Sequence, residues 1–335
     1  MPKAADETYL ARAVELAGKG EGHTRPNPPV GAVIVKDGVI IGEGYHRRAG
    51  CDHAEAAALK NAARRGNPVK GASMYVTLEP CSRPGRVGAC TDRIIAAGIG
   101  RVVYACRDPN PKNRGRAKRI LTRAGIVCGQ VSLAAADRLI APFAKHVTTG
   151  MPYVTVKLAM SLDGRICDDF GGARWISSAE ARRLTGRFRR RVDAIMVGAG
   201  TVRADDPVLL PHDGRNDDLV RVVVTRSGRL PEKAKVFSDG RNETLVFKIG
   251  RGQSLEAALS ELGSRGIMHV LCEGGMELAV SLAEAGLVDE WVSVLSPCVI
   301  GTRPVSEKLL FEPVRGNYAV RVKDDTIARF RCLRG

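Results

Sequence analysis

Apolar positions along the chain alternate between two rhythms. "PVGAVIVKDGVIIGEGY" (29–45) sets two β-rich runs on either side of "KDG", the pattern of a hairpin with a tight turn. "HAEAAALKNAARRG" (53–66) has helical spacing and ends at Gly66, which can close a helix in the left-handed conformation. Strands are then expected at 72–78, 101–106 and 126–131, with helices at 91–98, 118–125 and 133–146 between and after them. "TTGMP" (148–152) reads as a linker. The same alternation restarts beyond it. Strands are expected from Tyr153, at 193–198, 221–225, 244–249, 269–275 and 290–296, and helices at 178–192, 254–265 and 276–285. Strand and helix in turn throughout predicts an α/β fold in two domains, 1–148 and 152–335. A chain of 335 residues has the length for two such cores.

Composition narrows the class. Aromatics make up only 4 % against 44 % hydrophobic residues, so Val, Ile, Leu and Ala must build the cores. No stretch approaches the roughly 18 uninterrupted apolar residues of a membrane span. The first twenty residues mix acidic side chains with helical spacing, unlike a signal peptide, and nine cysteines show no regular framework. A reducing, cytoplasmic setting is expected. The net charge of +16 is spread through the chain, with "RRLTGRFRRR" the one dense run. That distribution, with few aromatics for base stacking, favours small phosphorylated ligands over nucleic acid. It leaves a homo-oligomer open.

The chemistry begins at "CDHAEA" (51–56) and "EPCSRPGRVGAC" (79–90). His53, Cys81 and Cys90 form the three-ligand set of a catalytic zinc site, which leaves a fourth position for water. Zinc lowers the pKa of that water toward ~7, and expelling ammonia from an amidine-like ring carbon also needs a proton carrier. Glu55 is the candidate. Residues two apart lie on different sides of an ideal helix, so His53 and Glu55 can share a site only at its N-terminal end. The remaining reading, cysteines as small buried hydrophobes, suits Cys51, Cys106, Cys128, Cys167, Cys272 and Cys332. "HAE" followed by "LEPC" matches the zinc-deaminase signature H-x-E and P-C-x-x-C, with the second cysteine nine residues on instead of three.

In the second half no G-x-G-x-x-G appears. "IMVGAGT" and "LCEGGMELAVSL" instead place glycines where a strand runs into a helix, which lets backbone N–H groups approach a phosphate. A tight turn alone would explain the same glycines.

Taken together, "NPPVG" (27–31), "GYHRRAGCDHAE" (44–55), the long cysteine spacing and "DPNP" (108–111) resemble the bifunctional riboflavin-biosynthesis deaminase/reductase family along essentially the whole chain. The resemblance implies a cytidine-deaminase-like α/β/α domain followed by a dihydrofolate-reductase-like α/β domain. It implies zinc and NADPH as cofactors and a small phosphorylated pyrimidine as substrate. A 2,5-diamino-6-ribosylamino-pyrimidinone phosphate would lose its amino group as ammonia, and its ribosyl chain would then be reduced to ribityl. Asn27 and His46 would lie near the deaminase substrate. In the second half "VKLAMSLDGR", "DAIMVGAGTVRADDP" and "CEGGMELAVSLAEAGLVDE" carry the likeness. By position, Ala159, Trp175, Thr201, Asp205 and Gly275 would line the cofactor. Ala173, Arg189, Leu209, His212 and Glu273 would face the ribose phosphate. The chain departs from the family at Arg83 (usually His), at Val87, Gly88 and Ala89 (Thr-Pro-Pro), at Ala173 (Ser), at His212 (Arg) and at Cys298 (Lys). A paralogue acting on a related pyrimidine metabolite, or a nucleic-acid-editing deaminase with a binding module, are the competing functions. NADPH binding separates the last from the others.

Overall fold

The computed structural model describes residues 3–83, 88–166, 176–211, 218–250, 253–300, 316–322 and 325–331. Two compact units emerge, Met1–Gly150 and Met151–Gly335.

The first unit runs α1 (Lys3–Ala17), β1 (Gly31–Lys36), β2 (Val39–Tyr45), α2 (Ala54–Arg64), β3 (Ser73–Leu78), α3 (Cys90–Ala96), β4 (Arg101–Cys106), α4 (Arg116–Arg123), β5 (Val127–Gln130) and α5 (Ala134–Thr149). Its sheet has the order β2-β1-β3-β4-β5. β1 is antiparallel to β2 and β3, whereas β3, β4 and β5 are parallel. Side chains alternate across a strand, and the two cores sort accordingly. Ala32, Ile34, Met74, Val76, Val102 and Tyr104 pack with residues of α2, α3 and α4. Val33, Val35, Tyr75, Val103 and Ala105 pack with α1 and α5. A three-layer α/β/α sandwich results. Gly44 lets α2 lie directly on β2, since a Cβ there would stand 2.3 Å from the backbone nitrogen of Ala58. That close approach fixes the helix whose N-terminus carries His53 and Glu55.

The second unit runs β6 (Tyr153–Met160), α6 (Ala179–Gly186), β7 (Ala194–Gly198), α7 (Ala199–Asp205), β8 (Val220–Thr225), α8 (Lys235–Ser238), β9 (Thr244–Lys248), α9 (Leu255–Ser264), β10 (His269–Cys272), α10 (Met276–Glu284), β11 (Glu290–Leu295), β12 (Gly316–Val322) and β13 (Asp325–Arg331). The sheet order is β12-β13-β11-β6-β10-β7-β8-β9. Six neighbours from β11 to β9 are parallel, and the β12–β13 hairpin adds antiparallel at the β11 side. Val154, Val156, Met196, Val222 and Val270 form one core face, and Ile195, Val197, Val223 and Leu271 the opposite one. The mixed α/β class expected from the alternation is the one observed.

Several boundaries differ from the pattern. The helix expected over 178–192 stops at Gly186 and continues only as a 3₁₀ turn, Phe188–Arg190. Glycine weakens a helix interior, and Arg183, Arg187 and Arg191, four residues apart, would repel along one face of a continued helix. The polar stretch after β7 folds as α7, and the final hairpin had no expectation at all. The strand expected through residue 275 ends at Cys272, because the two glycines belong to the turn into α10. α5 continues to Thr149, so little of the expected linker remains. Of the cysteines read as buried hydrophobes, Cys106 and Cys272 are buried. Cys51 and Cys128 are only half-buried, on the surface loop before α2 and on the edge strand β5. Cys167 and Cys332 lie outside the described residues. Among the described residues no helix is long and apolar enough to cross a membrane.

Candidate active sites

His53 is the residue that caps α2 at its N-terminus, with extended backbone angles, and Glu55 sits in the first turn. Cys81 follows β3 and Cys90 opens α3. The four residues therefore come from two helix starts and one strand end, all in the first unit.

His53, Cys81 and Cys90 bring their ligand atoms within 4.8 Å of one another. The His53 Nδ1 lies 3.5 Å from the Cys81 sulfur and 3.3 Å from that of Cys90. Zinc bound tetrahedrally at ~2.3 Å from sulfur and ~2.0 Å from nitrogen separates such atoms by about 3.5 Å. The donor set and its spacing fit that ion. Electrostatics agree. The Cys81 thiol is pulled down to about 4, first by the hydrogen bond it shares with the Cys90 thiol and further by His53. Cys90 is pushed up, since it holds the shared proton and is buried. His53 is raised, chiefly by its contact with Cys81. Burial pushes the Glu55 carboxyl up to about 7, and the negative Cys81 adds to the effect. A buried carboxyl near neutrality can both take and give a proton at physiological pH.

Asn27 and His46 stand beside this centre. The His46 and His53 rings meet edge to face at 5.3 Å. His46 Nδ1 bonds the Asp52 carbonyl at 3.0 Å, which only an N–H can do. Its Nε2 is then an acceptor, and Asn27 Nδ2 donates to it at 3.1 Å. Burial lowers the His46 pKa and keeps the ring in this neutral form. The Asn27 carbonyl oxygen is left to face a donor. Arg83 is exposed, Gly88 has a φ of 76° and Ala89 caps α3. Val87 lies outside the described residues.

In the second unit, β10 and β7 are parallel neighbours, and each runs straight into a helix at the same edge of the sheet. The backbone N–H of Glu273 donates to the Met196 carbonyl at 3.0 Å and ties the two turns together. Gly275 caps α10, and a Cβ there would meet nothing nearer than 4.0 Å, so its outer side is open to a ligand. Gly274 faces inward, where a Cβ would stand 2.8 Å from Leu278. Thr201 lies in the first turn of α7, and Asp205 is exposed one turn later on the same side. Two adjacent strand-to-helix turns with an open glycine suit the phosphates of a dinucleotide such as NADPH.

Arg189 forms an ion pair with Glu273, Nη2 to Oε2 at 2.6 Å and Nε to the same oxygen at 2.9 Å. Its Nη1 donates to the Leu210 carbonyl at 3.0 Å. Ala159 sits on β6 against the small cluster around Val292 and Val294. The Leu209 side chain is packed in the core at a φ of 55°, so only its backbone can meet a ligand. Cys298 is half-buried and its carbonyl accepts from the Leu162 N–H. Trp175, Ala173 and His212 lie outside the described residues.

Sequence reasoning missed Lys157. It lies on β6 between Val156, which pairs with Cys272, and Leu158, so it stands beside Glu273. Burial lowers its pKa; Glu273 opposes this, and Arg189 and Arg182 add to it. A lone lysine inside the apolar run "YVTVKLAM" was the available signal.

The comparisons with known proteins follow this division. Residues 3–106 match the family described as "Cytidine and deoxycytidylate deaminase zinc-binding region", and 152–330 match "RibD C-terminal domain". The riboflavin biosynthesis protein RibD of Escherichia coli is 39% identical over 347 residues, covering 92% of this chain and 94% of that protein. The RibD structure from Acinetobacter baumannii (form 1) has 34% identity and a TM-score of 0.84, covering 98% of this chain and 99% of the other. A diaminohydroxyphosphoribosylaminopyrimidine deaminase/5-amino-6-(5-phosphoribosylamino)uracil reductase from Thermotoga maritima has 33% identity and a TM-score of 0.89, with the same coverage.

Proposed function

Because the chain belongs to the RibD family of riboflavin-biosynthesis deaminase/reductases, we propose how its own residues divide that work. It acts in riboflavin biosynthesis with a zinc-dependent deaminase activity and an NADPH-dependent reductase activity. Our assignment gives deamination to 1–148 and reduction to 152–335. The substrates are those in the name of the Thermotoga protein, a diaminopyrimidine ribosyl phosphate and then the corresponding aminouracil. The observation that carries this reading is the convergence of three soft ligands with a buried carboxyl two residues from one of them.

His53, Cys81 and Cys90 hold zinc. Bound there, zinc lowers the pKa of a water toward ~7 and so supplies hydroxide at neutral pH. Glu55 would take one proton from the attacking water and pass it to the ring nitrogen, then take a second from the hydroxyl now on the ring carbon and pass it to the departing amine, which leaves as ammonia. Its carboxyl near 7 matches both transfers. His46 holds the Asn27 amide so that its oxygen accepts from the substrate.

In the second unit Gly275, Thr201, Asp205, Ala159 and Trp175 bind NADPH, which supplies a hydride. Arg189 offers a planar fork to the substrate phosphate. Glu273 holds Arg189 in place and is itself the acceptor for a sugar hydroxyl. Lys157 keeps a proton donor in the same cluster. His212 and Ala173 replace residues that would add contacts, which predicts a looser grip on substrate than the family norm. The setting is the cytoplasm, where unpaired cysteines persist.

The test is incubation with the diaminopyrimidine ribosyl phosphate, with and without NADPH, followed by product mass. Without NADPH the product exchanges NH for O; with it, a pair of hydrogens is added. Unchanged substrate in both arms would refute the assignment.

A further inference from the structure

Cys81 is anchored by more than its neighbours in the metal set. Asn113, from the loop between β4 and α4, is 6 % exposed and brackets the cysteine on both sides. Its Oδ1 accepts from the Ser82 backbone N–H at 2.8 Å and from the Ser82 hydroxyl at 2.6 Å. Its Nδ2 donates to the Pro80 carbonyl at 3.4 Å. One amide thus holds the peptide group before the ligand and the one after it.

The orientation of that amide is set from behind. Nδ2 also donates to Asp108 Oδ2 at 2.7 Å, and a carboxylate can only accept, so the amide cannot be turned over. The other Asp108 oxygen accepts from the Asn110 N–H at 2.8 Å. Glu79, the residue two before Cys81, closes the loop. Its carboxylate accepts backbone N–H groups from Asp108, Gly115 and Ala117 at 3.2, 3.0 and 3.2 Å. All three side chains are buried, so each bond is protected from water. Among the described residues this network meets the metal set at the peptide groups on either side of Cys81.

We propose that Asn113 is the positioning residue for the Cys81 ligand, with Asp108 fixing its polarity, and that the pair sets how tightly the first unit holds zinc. The inference rests on the reading of Cys81 as a zinc ligand. Outer hydrogen-bonding partners of metal ligands are typically worth 10–100-fold in metal affinity or activity. An imidazole ligand is commonly aimed through its second ring nitrogen; here a thiolate, which has no second atom, is aimed through its flanking peptides.

The experiment uses the full chain in buffers of fixed free zinc. Asn113→Ala should release zinc to a chelator at least about tenfold faster than the wild type. It should also shrink the gain in thermal midpoint that zinc confers. A merely structural role would lower zinc-loaded and zinc-free midpoints equally and leave that gain unchanged, which would overturn the proposal. NADPH-dependent reduction should be unaffected.

An exchange of polarity covers the case in which Asn113→Ala fails to fold. Asn113→Asp alone sets two carboxylates together and should hold zinc poorly. Adding Asp108→Asn restores a donor facing an acceptor and keeps the bonds from Ser82, so zinc retention should recover in part, short of the wild type because the Pro80 carbonyl still lacks its donor. A double variant no better than Asn113→Asp alone would overturn the proposal. A wild-type chain that binds no zinc would overturn the ligand reading and this inference with it. Zinc held equally tightly by wild type and Asn113→Ala would overturn only the inference.

Discussion

The two units handle buried charge in opposite ways. In the first, two thiols, an imidazole and a buried carboxyl crowd together, a set whose charge a divalent cation would balance. In the second, Arg189 already neutralises Glu273, and Lys157 adds a second cation beside the pair. The first centre would draw its counter-charge from a bound metal, and the second carries its own in side chains. Removing a single component should therefore have different consequences in each half.

The largest effect belongs to Glu55→Gln. Zinc and fold should stay, because the ligands remain and glutamine fills the same volume, but deamination should fall by roughly 10²–10⁴-fold or more. Cys81→Ser should lose zinc as well as activity, and chelation of the wild type should mimic it. In all three cases reduction of a pre-deaminated substrate should continue at the normal rate. Near-normal deamination by Glu55→Gln would remove it from the mechanism. Loss of reduction on chelation would collapse the contrast between the units.

Arg189→Ala tests the other half with a smaller effect. A charge-assisted hydrogen bond is worth about 1.5–3 kcal/mol, or roughly one to two decades in affinity. The KM for the ribosyl phosphate should rise by that factor, while the KM for NADPH and the deamination rate hold. An equal rise for NADPH would place Arg189 on the cofactor and not on the substrate. Lys157→Met should lower kcat more than it raises KM if the amine donates a proton.

How much could be read from the residues follows from how each centre is built. His53, Glu55, Cys81 and Cys90 sit in short motifs whose spacing is dictated by a helix start and a strand end, so chemistry and local structure point the same way. The reductase cluster is assembled across β6, β10 and the turn after α6, and no local spacing announces that Lys157 stands next to Glu273. Asn113 was hidden for the same reason: its partners beside Cys81, Ser82 and Pro80, are 31 and 33 residues away, in the loop after the neighbouring strand β3. The strands from β1 to β11 followed from apolar runs rich in Val and Ile. Helix α7 did not, because seven residues of "AGTVRAD" are too few and too polar to show an apolar face. Strand pairing between β13 and β11 is a long-range choice that local pattern cannot display.

The smallest effect concerns acid stability and separates the units again. His269 is half-buried on β10 beside Thr155, whose hydroxyl lies 2.9 Å from its Nε2 and donates to Glu290 at 3.1 Å. The Thr155 oxygen must then accept from the Nε2–H, which leaves Nδ1 unprotonated. Arg329 occupies Glu290 with two hydrogen bonds, at 2.6 and 2.8 Å. Tyr153 packs edge-on against the ring, and Asp193 accepts the His269 backbone N–H. Burial first, and the positive Arg329 second, lower the His269 pKa from 6.5 to about 3. The unfolded chain therefore binds a proton below about pH 6.5 that the native chain refuses until about pH 3. Stability of the second unit should fall as pH drops through that window, by up to about 1.4 kcal/mol per pH unit. Trp291 lies in this unit's core, so its fluorescence reads urea unfolding there and not at the acid-labile zinc ligands of the first unit. Measurements between about pH 7 and pH 5.5 stay above the range where ordinary carboxylates titrate. His269→Gln keeps a donor for Thr155 but cannot take up charge. It should lower stability slightly at pH 7 and flatten the decline on acidification. An equally steep decline in His269→Gln would show that another group drives it, and would remove His269 from the account.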